Sequence, residues 1–68
     1  MWIMKQSQDV IVNTSRMESV YAEGSAVYAK FEDNVLCLGQ YKGEKSKDVL
    51  LEIFEALSME EVFYYMPR

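Results

Sequence analysis

The sequence predicts a small α+β domain: an antiparallel sheet of about five to six short strands, with one amphipathic helix packed on one face. Short β-prone runs punctuated by turn residues occupy the chain up to Gln40. A helical period then spans Gly43 to Ser58, and one more β-prone run follows it.

Taken in order, Met1 to Lys5 is a short apolar, β-prone stretch, and Gln6-Ser7-Gln8-Asp9 reads as a turn. Val10-Ile11-Val12 is a compact β-branched run, closed by the turn residues Asn13-Thr14-Ser15. From Met17 to Glu23 the side chains alternate. Met17, Ser19 and Tyr21 take one face, and Glu18, Val20 and Ala22 take the other. Glu23-Gly24-Ser25 makes a hairpin turn into Ala26 to Glu32. Asp33-Asn34, two residues that tolerate left-handed backbone, reverses the chain again into Val35 to Gln40. The short connections make these last three strands an antiparallel meander.

The helix is predicted over about 44–58, where Val49, Leu50, Ile53, Phe54 and Leu57 share a face. That spacing expects both Ile53 and Phe54 in the core. Gly43 serves as N-cap, and Glu44 and Asp48 suit the positive end of the helix. Val62 to Met66 forms a last strand, which Pro67 closes because it cannot donate to a ladder.

Composition then bounds function. At 68 residues and 50% hydrophobic, the chain is expected to be one domain (1–68) with a thin core. One Trp, five Tyr and three Phe exceed what so short a chain buries, so apolar surface should face a partner. Self-association into a homodimer or higher homo-oligomer is the expected use. The chain has no His and one Cys, which removes the commonest general base and any compact zinc site. A non-enzymatic protein without cofactor is therefore expected.

Eleven carboxylates against seven Lys and Arg leave a net charge of −4. That opposes direct DNA or RNA binding and docking on anionic lipid. The acids are scattered, which suits a solubilising surface better than mimicry of nucleic acid. No apolar run approaches a membrane span and none resembles a signal peptide, so a soluble cytoplasmic protein is expected. Cys37, between Leu36 and Leu38, is expected to be a buried structural thiol.

Few motifs could carry chemistry. Leu38-Gly39-Gln40-Tyr41-Lys42-Gly43 leads from a strand into the helix, a junction that can hold phosphate on helix amides. It lacks the spacing of a P-loop, and Glu44 would oppose an anion, so a structural loop is expected. The adjacent Glu60 and Glu61 need not converge and do not define a hydrolytic pair. For ligand binding, Trp2, Tyr41 and Tyr65 offer stacking planes, with Arg16 and Lys42 as charge partners. For each aromatic, core packing with the polar end at the rim is the commoner role.

The landmarks Met1-Trp2-Ile3, Ser7-Gln8-Asp9, Leu38-Gly39-Gln40-Tyr41-Lys42, Val49-Leu50-Leu51-Glu52-Ile53 and Tyr64-Tyr65-Met66-Pro67 form an ordered set. That set resembles small uncharacterised proteins of phages and mobile elements of Gram-positive bacteria. Their pattern is Trp-Ile-x-x-x-Ser-Gln-Asp, Leu-Gly-x-Tyr, Val-Leu-x-x-Ile and Tyr-x-Met-Pro. Here Met4 replaces a basic or polar residue, and Ser46-Lys47 replaces Arg-Ala. The resemblance implies a phage or prophage protein that acts by occupancy. A fainter similarity to anti-Thoeris sponges implies an oligomer that sequesters a nucleotide immune signal. A protein-binding inhibitor of a host defence protein, through an acidic or apolar surface, is the alternative. A structural or accessory role is a third.

Overall fold

Strand-forming residues gather into six strands in the computed structural model, which describes all 68 residues. They are β1 (Trp2–Met4), β2 (Ile11–Asn13), β3 (Ser19–Glu23), β4 (Ala26–Lys30), β5 (Val35–Gln40) and β6 (Phe63–Tyr65). The helix α1 (Lys45–Ser58) precedes β6, and a single 3-10 turn, Thr14–Arg16, follows β2. The Asn13 side chain caps that turn by accepting from the Ser15 amide at 3.0 Å. The fold is α+β, as the sequence predicts. Its strands divide between two three-stranded sheets.

One sheet is the expected meander, in the order β3-β4-β5 and antiparallel throughout. Its hairpin turns at Gly24, which takes the left-handed backbone (φ 60) that a residue without Cβ adopts freely. Val27 pairs with Gly39 and Tyr28 with Cys37, so Leu38 is an extra residue in β5. The carbonyl of this bulged residue accepts from the Gln6 amide at 2.8 Å. A local irregularity thus ties the meander to the loop after β1.

The other sheet, in the order β2-β1-β6, is called the terminal sheet below. Its central strand β1 pairs antiparallel with β2 and parallel with β6. A parallel pair needs a long crossover, and here the meander and helix together form it.

Both sheets drain into one core. Ile3 and Val12 come from the terminal sheet, and Val27, Ala29 and Leu38 from the meander. Val49 and Ile53 come from α1, and Tyr41 and Met66 from the segments beyond the strands. In the helix, the buried stripe is Ser46, Val49 and Ile53. Ser46 is satisfied there because its Oγ donates to the Gly24 carbonyl at 3.0 Å.

Three expectations require correction. Phe54 is 67% exposed and does not enter the core. The stripe centres on Val49 and Ile53, and one further residue rotates the side chain by about 100°, away from the sheets. Gly43 is not the N-cap: with φ 60 it belongs to the turn before the helix, and Glu44 takes the cap position without a side-chain cap hydrogen bond. Cys37 is half-buried rather than buried, because in the ladder it lies opposite Tyr28, whose ring stacks on Tyr21. Strand alternation puts this row on the face opposite the core residues Val27 and Leu38.

Candidate functional site

Two surfaces and one groove stand out once the fold is assembled. The first surface is the outer face of the terminal sheet. Strand register places Trp2 beside Phe63 and Asn13, and Met4 beside Tyr65 and Ile11, all on the side opposite Ile3. Trp2, Ile11, Phe63 and Tyr65 are 40, 53, 61 and 65% exposed. None of the three strands carries a charged residue. On the inner side, Tyr64 turns toward α1 and its hydroxyl donates to Glu52 Oε1 at 3.0 Å. Burial pushes the Tyr64 phenol well above its ordinary value, and the Glu52 carboxylate pushes the same way.

The second surface is the uncovered flank of α1. Leu51, Phe54 and Leu57 project there, and with Val20 and Leu50 they line an apolar concavity of about 320 Å³. Apolar side chains thus cover roughly 200° of the helix, about twice the arc a one-sided surface helix needs.

The groove lies where β5 runs into α1. Gln6, Gln40, Tyr41, Lys42, Lys45 and Arg68 line a concavity of about 310 Å³. A smaller concavity lined by Lys5, Gln6, Ser7, Cys37, Leu38, Gly39 and Gln40 adjoins it, since both share Gln6 and Gln40. Four cations line this continuous depression and no carboxylate does. At the divide, Gln6 imitates a strand. Its Nε2 donates to the Gln40 carbonyl at 3.0 Å, and its Oε1 accepts from the Gln40 amide at 2.8 Å.

Local chain geometry delivers each cation. Gly43, at φ 60, starts a tight turn that the Lys45 amide closes on the Lys42 carbonyl at 3.2 Å. That turn sets Lys42 and Lys45 at one mouth and leaves Glu44 outside the lining. Arg68 arrives from the other end of the sequence. Met66 is buried and its amide donates to the Met4 carbonyl at 3.0 Å, while the Tyr41 hydroxyl donates to the Pro67 carbonyl at 2.8 Å. Arg68 Nη2 then donates to Gln8 Oε1 at 2.7 Å, with Gln8 itself in left-handed backbone (φ 63).

The five residues singled out from sequence therefore part company. Tyr41 and Lys42 meet in the groove. Tyr41 is nearly buried there, its hydroxyl is engaged, and burial raises its phenol, with the charges of Cys37 and Glu52 adding to the effect. Its ring packs over Gly39: a Cβ at that glycine would stand 2.7 Å from the hydroxyl and 3.0 Å from the ring. Tyr41 is thus an anchor for the tail, with no open face for stacking. Trp2 and Tyr65 share the terminal sheet's outer face, and Arg16 is exposed on the 3-10 turn. Sequence reasoning missed Arg68, Gln6 and Gln40 as groove residues. Nothing local marks them, because the anchored tail and the Leu38 bulge bring them in.

No three His, Cys, Asp or Glu side chains gather in a metal-binding arrangement, and no helix is long and apolar enough to cross a membrane. Comparison of the chain with protein-family models, with curated proteins and with solved structures finds no match.

Proposed function

We propose that the chain is a non-enzymatic binding protein of phage or prophage type that acts by occupying a host protein. The uncharged outer face of the terminal sheet is the contact. That face carries the reading: Trp2, Ile11, Phe63 and Tyr65 form a register-aligned apolar patch. At about 150–250 Å² per fully buried aromatic, the exposed fractions of Trp2, Phe63 and Tyr65 amount to roughly 250–400 Å². That is about half of the roughly 800 Å² per partner of an ordinary interface, so the patch forms the centre of a contact that its rim completes. Patches of this size on monomers are often functional. The surrounding net charge of −4 suits a partner that is basic around its own contact. The phage setting rests on the sequence resemblance alone.

The test pairs the wild type with a Phe63→Glu/Tyr65→Glu variant, each expressed in a phage-challenged Gram-positive host and purified gently. The expected result is a stoichiometric host protein with the wild type that is lost with the variant, while the variant's melt is unchanged. Retention by the variant would remove the face from the contact. A chain that emerges alone as a dimer, and that the variant makes monomeric, would assign the face to self-association instead.

A second reading, a homo-oligomeric sponge for a nucleotide immune signal, is favoured by the cation-lined groove that contains Tyr41 and Lys42. It expects a stoichiometric nucleotide in the heat-released fraction of the same preparation.

A further inference from the structure

We propose that the groove between β5 and α1 is a phosphate site, holding one phosphoryl group among Lys42, Lys45 and Arg68 with the Gln40 side-chain amide at its edge. The inference is independent of the apolar face and gives the sponge reading a place on the molecule; it would stand if the physiological ligand were a different phosphate ester.

Charge singles out the groove. This chain has more acids than bases, so a random concavity on it should be lined by carboxylates at least as often as by cations. The groove and its extension are lined by Lys5, Lys42, Lys45 and Arg68 and by no acidic side chain. Asp9 lies near enough to Lys5 to be favoured by it, which leaves Lys42, Lys45 and Arg68 as the cluster without a carboxylate in the lining. Like charges held at one mouth repel, and an uncompensated cluster is destabilising by the same Coulomb term that would favour a bound anion. An anion of charge near −2 relieves that repulsion, and phosphate supplies that charge with several acceptor oxygens.

Geometry supplies the second part. The three cations come from two separate pieces of chain, and contacts that involve no carboxylate position both. Lys42 and Lys45 are set by the glycine turn, and Arg68 by the anchors at Met66, Pro67 and Gln8. Arg68 keeps guanidinium donors beyond the one that Gln8 engages, and these can fork onto phosphate oxygens. A volume of about 310 Å³ admits a phosphoryl group together with part of the group it esterifies.

The extension toward Lys5 suggests how the rest of a ligand lies. Gln6, Ser7 and Gln40 line that side with polar groups and no open aromatic face. The ester's organic part is therefore recognised by hydrogen bonding, and stacking contributes little within a single chain.

The experiment is a titration of the isotope-labelled full chain with inorganic phosphate, and separately with AMP, followed by NMR at fixed ionic strength. Saturable shifts should concentrate at Gln40, Lys42, Lys45 and Arg68, with a dissociation constant of about 1 mM or tighter. Lys42→Ala/Lys45→Ala should weaken binding at least about tenfold with an unchanged melt, whereas Lys47→Ala, on the same helix but outside the groove, should leave it unchanged. Equal affinity for the two probes would make the phosphoryl group the whole determinant, and tighter AMP binding would add contacts to the nucleoside. Non-saturating shifts spread over all lysines alike, or no shift, would overturn the site. Loss of the sponge reading in cells would leave this measurement untouched.

Discussion

The two sheets differ in how their strands find one another, and the difference runs through the rest of the molecule. In the meander each strand pairs with its neighbour in sequence, across turns that the sequence announces at Gly24 and Asp33-Asn34. In the terminal sheet the central strand takes partners from far apart, and its parallel partner β6 lies near the other end of the chain. The meander's face away from the core carries Tyr21, Tyr28 and the charged Glu23 and Lys30. The terminal sheet's outer face carries no charge at all. Local pairing built a finished sheet; distant pairing built one with a face still open.

The strongest way to break this comparison is to remove what the sheets share. Ile53 is fully buried in the core to which both contribute, and Ile53→Asp would place an unpaired carboxylate there. A loss above about 4 kcal/mol is expected, enough to abolish the cooperative transition in circular dichroism of so small a domain. A variant in which one sheet still melted cooperatively would show two cores where we describe one. Phe54→Asp, on the exposed flank, should change stability by no more than about 0.5 kcal/mol.

The seam between the sheets is the next target. At Gly39 an added Cβ would approach the Tyr41 hydroxyl to 2.7 Å and Gln6 Cβ to 3.1 Å. Gly39→Ala should cost about 1–3 kcal/mol by denaturant titration, since the ring must move and release the Pro67 carbonyl. A neutral outcome would mean that the tail does not depend on Tyr41.

The smallest effect belongs to the inner side of β6. Tyr64 is favoured in its neutral form in the fold, because burial and Glu52 both oppose ionisation. That contribution is present below the ordinary phenol value of 10.0 and is lost as pH rises through the higher folded value. Thermal stability should therefore fall above about pH 10, and Tyr64→Phe should flatten that fall while costing about 0.5–1.5 kcal/mol near neutral pH. An alkaline fall of the same size in Tyr64→Phe would assign it to other groups.

What could be read from the sequence follows the same division. The meander, the helix span and the six strands were legible because turn residues and periodicity are local signals. The split into two sheets was not, since Trp2-Ile3-Met4 and Phe63-Tyr64-Tyr65 carry nothing that names the other as partner. The helix misled at Phe54 because its apolar arc is wider than the surface it covers, and spacing alone does not say which half is covered. Of the groove, Lys42 was within reach of sequence reasoning, while Arg68 depended on a tail whose path is set by tertiary contacts.

The parallel pairing of β1 with β6 also bears on how the chain is made. A ribosome releases β1 early and β6 late, so the central strand waits with one edge unpaired while everything between is translated. The meander can form during that wait, since its pairings join strands that are neighbours in sequence. Closure of the terminal sheet cannot. The segment that completes the sheet is also the one that delivers Arg68, so any binding that needs either must wait until β6 has paired.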